Sequence, residues 1–89
     1  MDYPSALRKA TDIVDEMIGK GYTVAQSMRY DAHHISFTKP EKSQNDWGIG
    51  YHKYDLTNQV EKDGAINALA VCLQNPEGDT LGTGYTIEK

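Results

Sequence analysis

Apolar side chains near the start of the chain recur at intervals of three and four residues, which is the spacing of one helix face. They are Leu7, Ala10, Val14, Met17 and Ile18. This pattern predicts a helix over residues 4–18. Pro4 suits its first turn, where a missing N–H costs no hydrogen bond, and Gly19 and Gly21 are expected to end it.

The next part of the chain alternates between apolar and polar residues, which is typical of strands with one buried face. Residues 22–30 alternate in this way and predict the first strand. Residues 33–38 are expected to form the return strand, with Ile35 and Phe37 facing inward. A short turn joins the two predicted strands.

Residues 39–46 are polar apart from Pro40 and predict an exposed loop. The only tryptophan then opens a further strand over residues 47–54. Alternation along that strand puts its side chains in two sets on opposite faces. The set expected to face the core is Trp47, Ile49 and Tyr51. The set expected on the open face is Gly48, Gly50, His52 and Tyr54.

Residues 56–75 return to helical spacing and predict a second helix. Its clearest apolar positions are Ile66, Leu69, Ala70 and Leu73. Asp63 is the expected N-cap, because Gly64 weakens any earlier start. Residues 81–87 alternate again and predict a last strand.

The predicted order is therefore α-β-β-β-α-β, in a single domain that comprises residues 1–89. Each helix has one apolar stripe and each strand one apolar face, so two layers are enough to bury them. We expect an α+β two-layer sandwich, in which a four-stranded, mostly antiparallel sheet carries both helices on one face. If the strands at 47–54 and 81–87 are neighbours, their glycines would form a flat docking patch rimmed by His52 and Tyr54. The alternative is that these glycines mark bulges or close packing.

Charge restricts the class of partner. The chain has nine lysines and arginines against thirteen aspartates and glutamates, a net charge of −4. The excess lies after residue 54, where six carboxylates accompany two lysines. Proteins that hold nucleic-acid phosphates normally carry a basic patch, and none is visible in sequence order. Direct binding to nucleic acid is therefore disfavoured, and a protein partner is favoured.

The cysteine content and the apolar runs indicate the compartment. Cys72 is the only cysteine, so no disulfide can form within the chain. The sequence shows no leader-like start and no apolar run of membrane-spanning length. We therefore expect a cytoplasmic protein with a reduced thiol and no membrane contact.

Histidines are the residues with the most catalytic potential, and His33 and His34 are adjacent. Neighbouring residues on a strand point to opposite faces, so these two imidazoles cannot chelate one metal ion without a bulge. The other side chains with nitrogen or sulfur donors are His52 and Cys72. These residues do not show the paired spacing that is typical of zinc ligands, and we expect no metal site and no cofactor. Either adjacent histidine could instead lie opposite His52 on a neighbouring strand and act in general acid–base catalysis.

The order helix–strand–strand–strand–helix resembles the double-stranded-RNA-binding fold. Within it, Gly21-Tyr22 followed by Asp-Ala-His-His-Ile at residues 31–35 is similar to the small HicA-type mRNA interferases. That family has its catalytic histidine after Gly-Ser on the second strand, so the resemblance implies a catalytic role for His33, with His34 next to it. This chain has Asp-Ala at the Gly-Ser position and an acidic rather than lysine-rich start to its second helix.

The leading hypothesis is a small, non-catalytic protein that binds and inhibits a macromolecular partner, such as a nucleic-acid-handling complex. In size and acidity the chain resembles phage and mobile-element accessory proteins, including anti-CRISPR and anti-restriction inhibitors, some of which present carboxylates in place of phosphates. Carboxylates would steer a basic partner and a tyrosine would anchor it. The expected contact residues are Tyr51, His52, Tyr54, Asp55, Glu61, Asp63, Glu77 and Asp79.

Two alternatives stay open at this point. The first is an mRNA interferase that uses His33 or His34. The second is a homodimeric structural module in which residues 81–87 pair across a two-fold axis, because an unpaired alternating strand invites such pairing.

Overall fold

The helices and strands follow one another in the order predicted from the sequence. The computed structural model describes residues 1–27, 34–39, 51–74 and 84–88. The elements are α1 (Tyr3–Gly19), β1 (Thr23–Ser27), β2 (His34–Thr38), β3 (Tyr51–Tyr54), α2 (Gln59–Gln74) and β4 (Gly84–Glu88). The α+β prediction and its α-β-β-β-α-β order are therefore confirmed. Residues 40–46 of the predicted loop at 39–46, and the first half of the predicted third strand, 47–50, lie outside the described residues.

Helix α1 is fixed at its start by a side-chain cap. The carboxylate of Asp2 accepts a hydrogen bond from the backbone N–H of Ser5 at 2.9 Å, and hydrogen bonding from Ser5 lowers the pKa of Asp2. Pro4 lies in the first turn, as predicted. The chain leaves the helix through Gly21, whose φ of 81° suits a residue without a β-carbon.

Helix α2 begins within the predicted range 56–75 but before the predicted N-cap, Asp63. The side chain of Asn58 accepts hydrogen bonds from the backbone N–H groups of Val60 at 3.0 Å and Glu61 at 3.2 Å. It therefore caps a helix that starts at Gln59. The prediction that Asp63 is the N-cap is wrong, because a better placed side chain satisfies the first N–H groups one turn earlier.

The four described strands form one mixed sheet in the order β3-β1-β2-β4. Strand β1 pairs antiparallel with both β2 and β3, whereas β4 pairs parallel with β2. The parallel pairing requires a crossover, and β4 follows α2 in the chain. Strands β3 and β4 consequently lie at opposite edges, so the condition for a shared glycine patch is not met. Gly48, Gly50 and Gly82 themselves lie outside the described residues.

The register of β3 decides which of its side chains face the helices. Tyr54 lies opposite Val24, and His52 lies opposite Gln26. Directly paired residues point to the same face of a sheet, and Val24 is fully buried in the core. His52 and Tyr54 are therefore on the helix side, whereas Tyr51 points to the other face. For residues 51–54, the prediction of which side chains face the core is therefore wrong. Side chains alternate with a period of two, so a shift of one residue is enough to turn every side chain to the other face.

The core lies between the sheet and both helices. On the sheet side, Val24, Ile35 and Phe37 are fully buried, and the last two face inward as predicted. The rings of Phe37 and Tyr85 meet edge to face with their centroids 6.4 Å apart, which joins β2 to β4. The helix side consists of Ala6, Ala10, Val14 and Met17 from α1, and of Ala65, Ile66, Leu69, Ala70, Cys72 and Leu73 from α2. Both helices therefore cover the same face, as predicted.

We expect Asn58→Ala to lower the free energy of unfolding by about 1 kcal/mol, because two N–H groups at the start of α2 lose their acceptor. Urea denaturation followed by circular dichroism measures this difference. Gln74→Ala, at the exposed last residue of the same helix, is the control and should change the value by less than about 0.5 kcal/mol. Equal effects of the two substitutions would contradict the cap.

Candidate functional site

Strand β3 forms one edge of the described sheet and presents most of its side chains to solvent. Tyr51 is 40% exposed, which leaves a large aromatic ring available for contact. His52 and Lys53 are also exposed, and Tyr54 is half-buried against the core. An exposed aromatic side chain on an edge strand is a suitable contact for a protein partner.

On the helix side of β3, side chains from two elements meet. Atom Nε2 of His52 lies 3.8 Å from Oε1 of Glu61, in the first turn of α2, and the two form an ion pair when the imidazole is protonated. The rings of His52 and Tyr54 meet edge to face, with their centroids 4.5 Å apart and an angle of 85°. Both members of the ion pair stay partly exposed, so a partner can reach them.

Tyr54 holds this group in place. Its hydroxyl donates a hydrogen bond of 2.6 Å to Oε1 of Gln26 on β1. Its ring packs over Gly64 of α2, where an added β-carbon would lie 3.3 Å from the ring, and this close approach explains the glycine within the helix. Burial raises the pKa of Tyr54, and the neighbouring Glu61 and Cys72 act in the same direction. The phenol is therefore a structural hydrogen-bond donor.

Asp55 directly follows β3 and is fixed in a turn. Its Oδ1 accepts hydrogen bonds from the hydroxyl of Thr57 at 2.6 Å and from the backbone N–H of Thr57 at 3.0 Å. These two bonds lower the pKa of Asp55. The N–H of Asp55 in turn donates to Oε1 of Glu61 at 3.4 Å. Glu61 thus contacts both His52 and the backbone of Asp55. We call Tyr51, His52, Tyr54, Asp55 and Glu61 the β3 surface, in which Tyr51 lies on the open face of the sheet and His52, Tyr54 and Glu61 lie on the helix side.

The other predicted acidic contacts do not belong to the β3 surface. Asp63 accepts a hydrogen bond of 2.9 Å from the glutamine one turn earlier in α2. It lines a separate groove of about 390 Å³ between α1 and α2, beside Lys62, which pairs with Asp15 at 2.9 Å. Glu77 and Asp79 lie outside the described residues. Of the predicted acidic contacts, the structure therefore groups Asp55 with Glu61 and separates Asp63 from them.

A cleft of about 290 Å³ opens beside the β3 surface, where the end of α1 meets the β3–α2 connection. We call it the Asp55 cleft. Its lining residues are Ile18, Gly21, Tyr22, Thr23, Tyr54, Asp55, Leu56 and Thr57. The sequence pattern did not reveal this cleft, because its two walls come from separate parts of the chain. The one local signal is Leu56, an isolated apolar residue between Asp55 and Thr57.

The two histidines of the described strands do not meet. His34 is on β2 and His52 is on β3, and β1 lies between these strands. They also point to opposite faces, because His34 precedes the buried Ile35 and lies on the open face with Thr86, whose Oγ1 is 3.3 Å from its Nε2. The possibility that His34 faces His52 across neighbouring strands is therefore excluded. His33 lies outside the described residues.

Cys72, the only thiol of the chain, is enclosed in the core, and burial raises the pKa of that thiol. Within residues 1–27, 34–39, 51–74 and 84–88, no group of three or more His, Cys, Asp or Glu residues is arranged to hold a metal ion. In the same part of the chain, neither helix has the length and apolar character needed to cross a bilayer.

Comparison with protein-family models, with curated proteins and with solved structures gave no match to this chain. The geometry of its own residues is therefore the basis for a functional proposal.

We expect Tyr54→Phe to lower the free energy of unfolding by about 1 kcal/mol, because the side-chain oxygen of Gln26 loses its donor. Tyr51→Phe is the matched control, since it removes a hydroxyl from an exposed ring on the same strand, and should stay within about 0.5 kcal/mol of the parent. Urea denaturation of the three proteins measures the difference. If both variants were neutral, the Tyr54 hydroxyl would not stabilise the fold.

Proposed function

We propose that this protein is a non-catalytic inhibitor that binds a basic, nucleic-acid-handling protein through the β3 surface. One observation carries this proposal. Edge strand β3 carries an exposed aromatic side chain, Tyr51, and leads directly into the β3–α2 connection and the first turn of α2, whose two acidic residues, Asp55 and Glu61, are joined by a hydrogen bond from the backbone N–H of Asp55 to Glu61.

The members of the β3 surface have properties that suit a basic partner. Tyr51 supplies a large and rigid contact area at low cost in side-chain entropy. Asp55 and Glu61 supply negative charge, which steers lysines and arginines toward the surface and pairs with them after docking. The turn around Asp55 and the contacts of Tyr54 order the surface before a partner arrives, so less entropy is lost on binding.

The class of partner follows from charge complementarity. Protein surfaces that bind nucleic-acid phosphates are rich in lysine and arginine. A chain of net charge −4, with Asp55 and Glu61 at the end of the edge strand that carries Tyr51, is complementary to such a surface. By occupying that surface, this protein would exclude the nucleic acid. Some of the anti-CRISPR and anti-restriction inhibitors that the chain resembles in size and acidity act in this way.

The environment of the titratable groups supports binding rather than catalysis. The phenol of Tyr54 is used in a structural hydrogen bond, and the carboxylate of Asp55 is used in a turn. His34 and His52 lie on opposite faces of the sheet, so they cannot act together as acid and base.

Affinity capture from the lysate of the native host tests the proposed function. We expect the immobilised protein to retain a nucleic-acid-handling protein at low salt and to release it at high salt, because exposed charge pairs are screened. Glu61→Lys and Tyr51→Ala should each weaken capture about tenfold, since one reverses a contact charge and the other removes the aromatic anchor. Mass spectrometry identifies the partner and quantitative blotting measures its retention.

Two variants control for charge and for exposed apolar area. Glu16→Lys makes the same charge change on the exposed face of α1, and Val71→Ala truncates an exposed apolar side chain of α2. Both should retain the partner as the parent does. Equal losses in all four variants would show that the β3 surface is not the contact. RNA that co-purifies without a protein partner would contradict the proposal and favour the interferase alternative, which mutation of His33 and His34 to alanine then tests.

Strand β4 supports a second candidate function, a homodimeric module. Within the described sheet, β4 is the edge opposite β3 and pairs with β2. Ile87 on this strand is 38% exposed and is one of the exposed large apolar side chains of the described residues. A second copy that paired its own β4 here about a two-fold axis would continue the sheet and cover that side chain.

Light scattering distinguishes the homodimer from a monomeric inhibitor. The homodimer predicts a dimeric mass at high protein concentration, and Ile87→Lys should return it to the monomer mass because a buried lysine would lose its hydration. Val71→Lys, which adds the same charge at an exposed site on α2, should leave the dimer intact. A monomer at every concentration excludes this candidate.

A further inference from the structure

We propose that the Asp55 cleft binds the side chain of an arginine on the protein partner. The identity of that partner rests on the proposed function, whereas the chemistry of the cleft stands on its own geometry. The cleft adjoins the β3 surface through Tyr54 and Asp55, which belong to both. A partner docked on β3 can therefore insert one side chain into the cleft.

The walls of the cleft suit the long aliphatic part of an arginine. Ile18 and Leu56 are apolar, and Ile18 is 37% exposed although it belongs to the apolar stripe of α1. Arginine buries its methylene groups along such walls while its guanidinium keeps polar contacts. The rings of Tyr22 and Tyr54 also line the cleft, and guanidinium groups stack on aromatic faces. Nζ of Lys39, a residue outside the cleft lining, lies 5.6 Å from the centroid of Tyr22 and would compete with a guanidinium for that ring, so Tyr54 is the aromatic wall on which the inference depends.

Asp55 supplies the charge that a guanidinium requires. Both of the hydrogen bonds that its carboxylate accepts from described residues reach Oδ1, and they come from Thr57. Within the part of the chain that the structure describes, no hydrogen bond reaches the second oxygen, Oδ2, while the turn fixes the plane of the carboxylate. Gly21 on the facing wall leaves open space, because an added β-carbon there would meet nothing within 4 Å. The cleft therefore has one carboxylate, from Asp55, and open space at Gly21, which suits a single cationic side chain.

Other occupants fit this chemistry less well. A phosphate or an acidic side chain would be repelled by Asp55. An apolar side chain would take water from the carboxylate without giving it a hydrogen-bond donor. A lysine would bring a strongly hydrated ammonium without the planar face that stacks on tyrosine rings. Arginine alone combines an aliphatic stem, a planar cation and several donors.

Titration of the ¹⁵N-labelled protein with N-acetyl-arginine amide, followed by NMR, tests the inference. We expect saturable shifts of the backbone amides of Tyr22, Leu56 and Thr57. N-acetyl-citrulline amide has nearly the same shape without the charge, and should bind about tenfold more weakly because the charge-assisted hydrogen bond is lost. N-acetyl-lysine amide and N-acetyl-leucine amide should also bind more weakly than the arginine compound.

Two isosteric variants test the role of the carboxylate. Asp55→Asn keeps an oxygen to accept the bonds from Thr57, so the turn is preserved while the charge is removed. It should weaken binding of N-acetyl-arginine amide about tenfold. Asp63→Asn removes a carboxylate from the separate α1–α2 groove and should leave binding unchanged. Unfolding curves of both variants show that the fold is retained.

Three results would overturn the inference. The first is the absence of saturable shifts at the cleft amides. The second is binding of the citrulline or leucine compound as tight as that of the arginine compound. The third is unchanged binding in Asp55→Asn.

Failure of this inference differs from failure of the proposed function. If Glu61→Lys and Tyr51→Ala each weaken partner capture about tenfold while N-acetyl-arginine amide does not shift the cleft amides, the proposed function stands and the arginine site is wrong. If the arginine compound binds the cleft but neither variant affects capture, the arginine site stands and the β3 surface is not the partner contact.

Discussion

The pairing of β1 with strands on both sides is the constraint on which the rest of the structure depends. Val24 lies opposite Phe37 of β2 and opposite Tyr54 of β3. Val24 and Phe37 are fully buried beneath both helices, and Tyr54 packs against the same core. Neither neighbouring strand can therefore shift by one residue without turning its core side chains to the other face. The register of β1 thus fixes which side chains of β3 reach the helices.

That register also produces the β3 surface. Because Tyr54 turns inward and packs over Gly64, the chain leaves β3 close to α2 and makes a short connection to it. Asp55 and Asn58 stabilise this connection by their hydrogen bonds. The carboxylate of Asp55 holds the turn, the N–H of Asn58 donates to the carbonyl of Asp55 at 3.0 Å, and the side chain of Asn58 caps the helix. Tyr51 is left outside, where a partner can contact it.

Net acidity is a poor guide to where this protein makes contact. The carboxylates of the described residues are distributed over at least two surfaces, and some of them are already engaged with neighbouring side chains. Asp15 is paired with Lys62, and Asp63 accepts a hydrogen bond within its own helix. All charges contribute to long-range steering, but only those beside an exposed apolar anchor can contribute to a docked interface. Among the described residues, Asp55 and Glu61 are the carboxylates at the end of the exposed edge strand β3.

The sequence by itself determined the type and order of the elements, because helical and strand periodicities are local properties. The apolar stripe of α1 and the inward side chains of β2, Ile35 and Phe37, follow from spacing alone. Tertiary structure decided which strands pair and which face of β3 is buried. Alternation places Tyr51 and Tyr54 on opposite faces of the strand, but it does not show which of the two faces the core. That choice depended on the pairing of Val24, which lies some thirty residues from Tyr54 in the chain. The Asp55 cleft was decided in the same way, because its walls approach each other only after the sheet has formed.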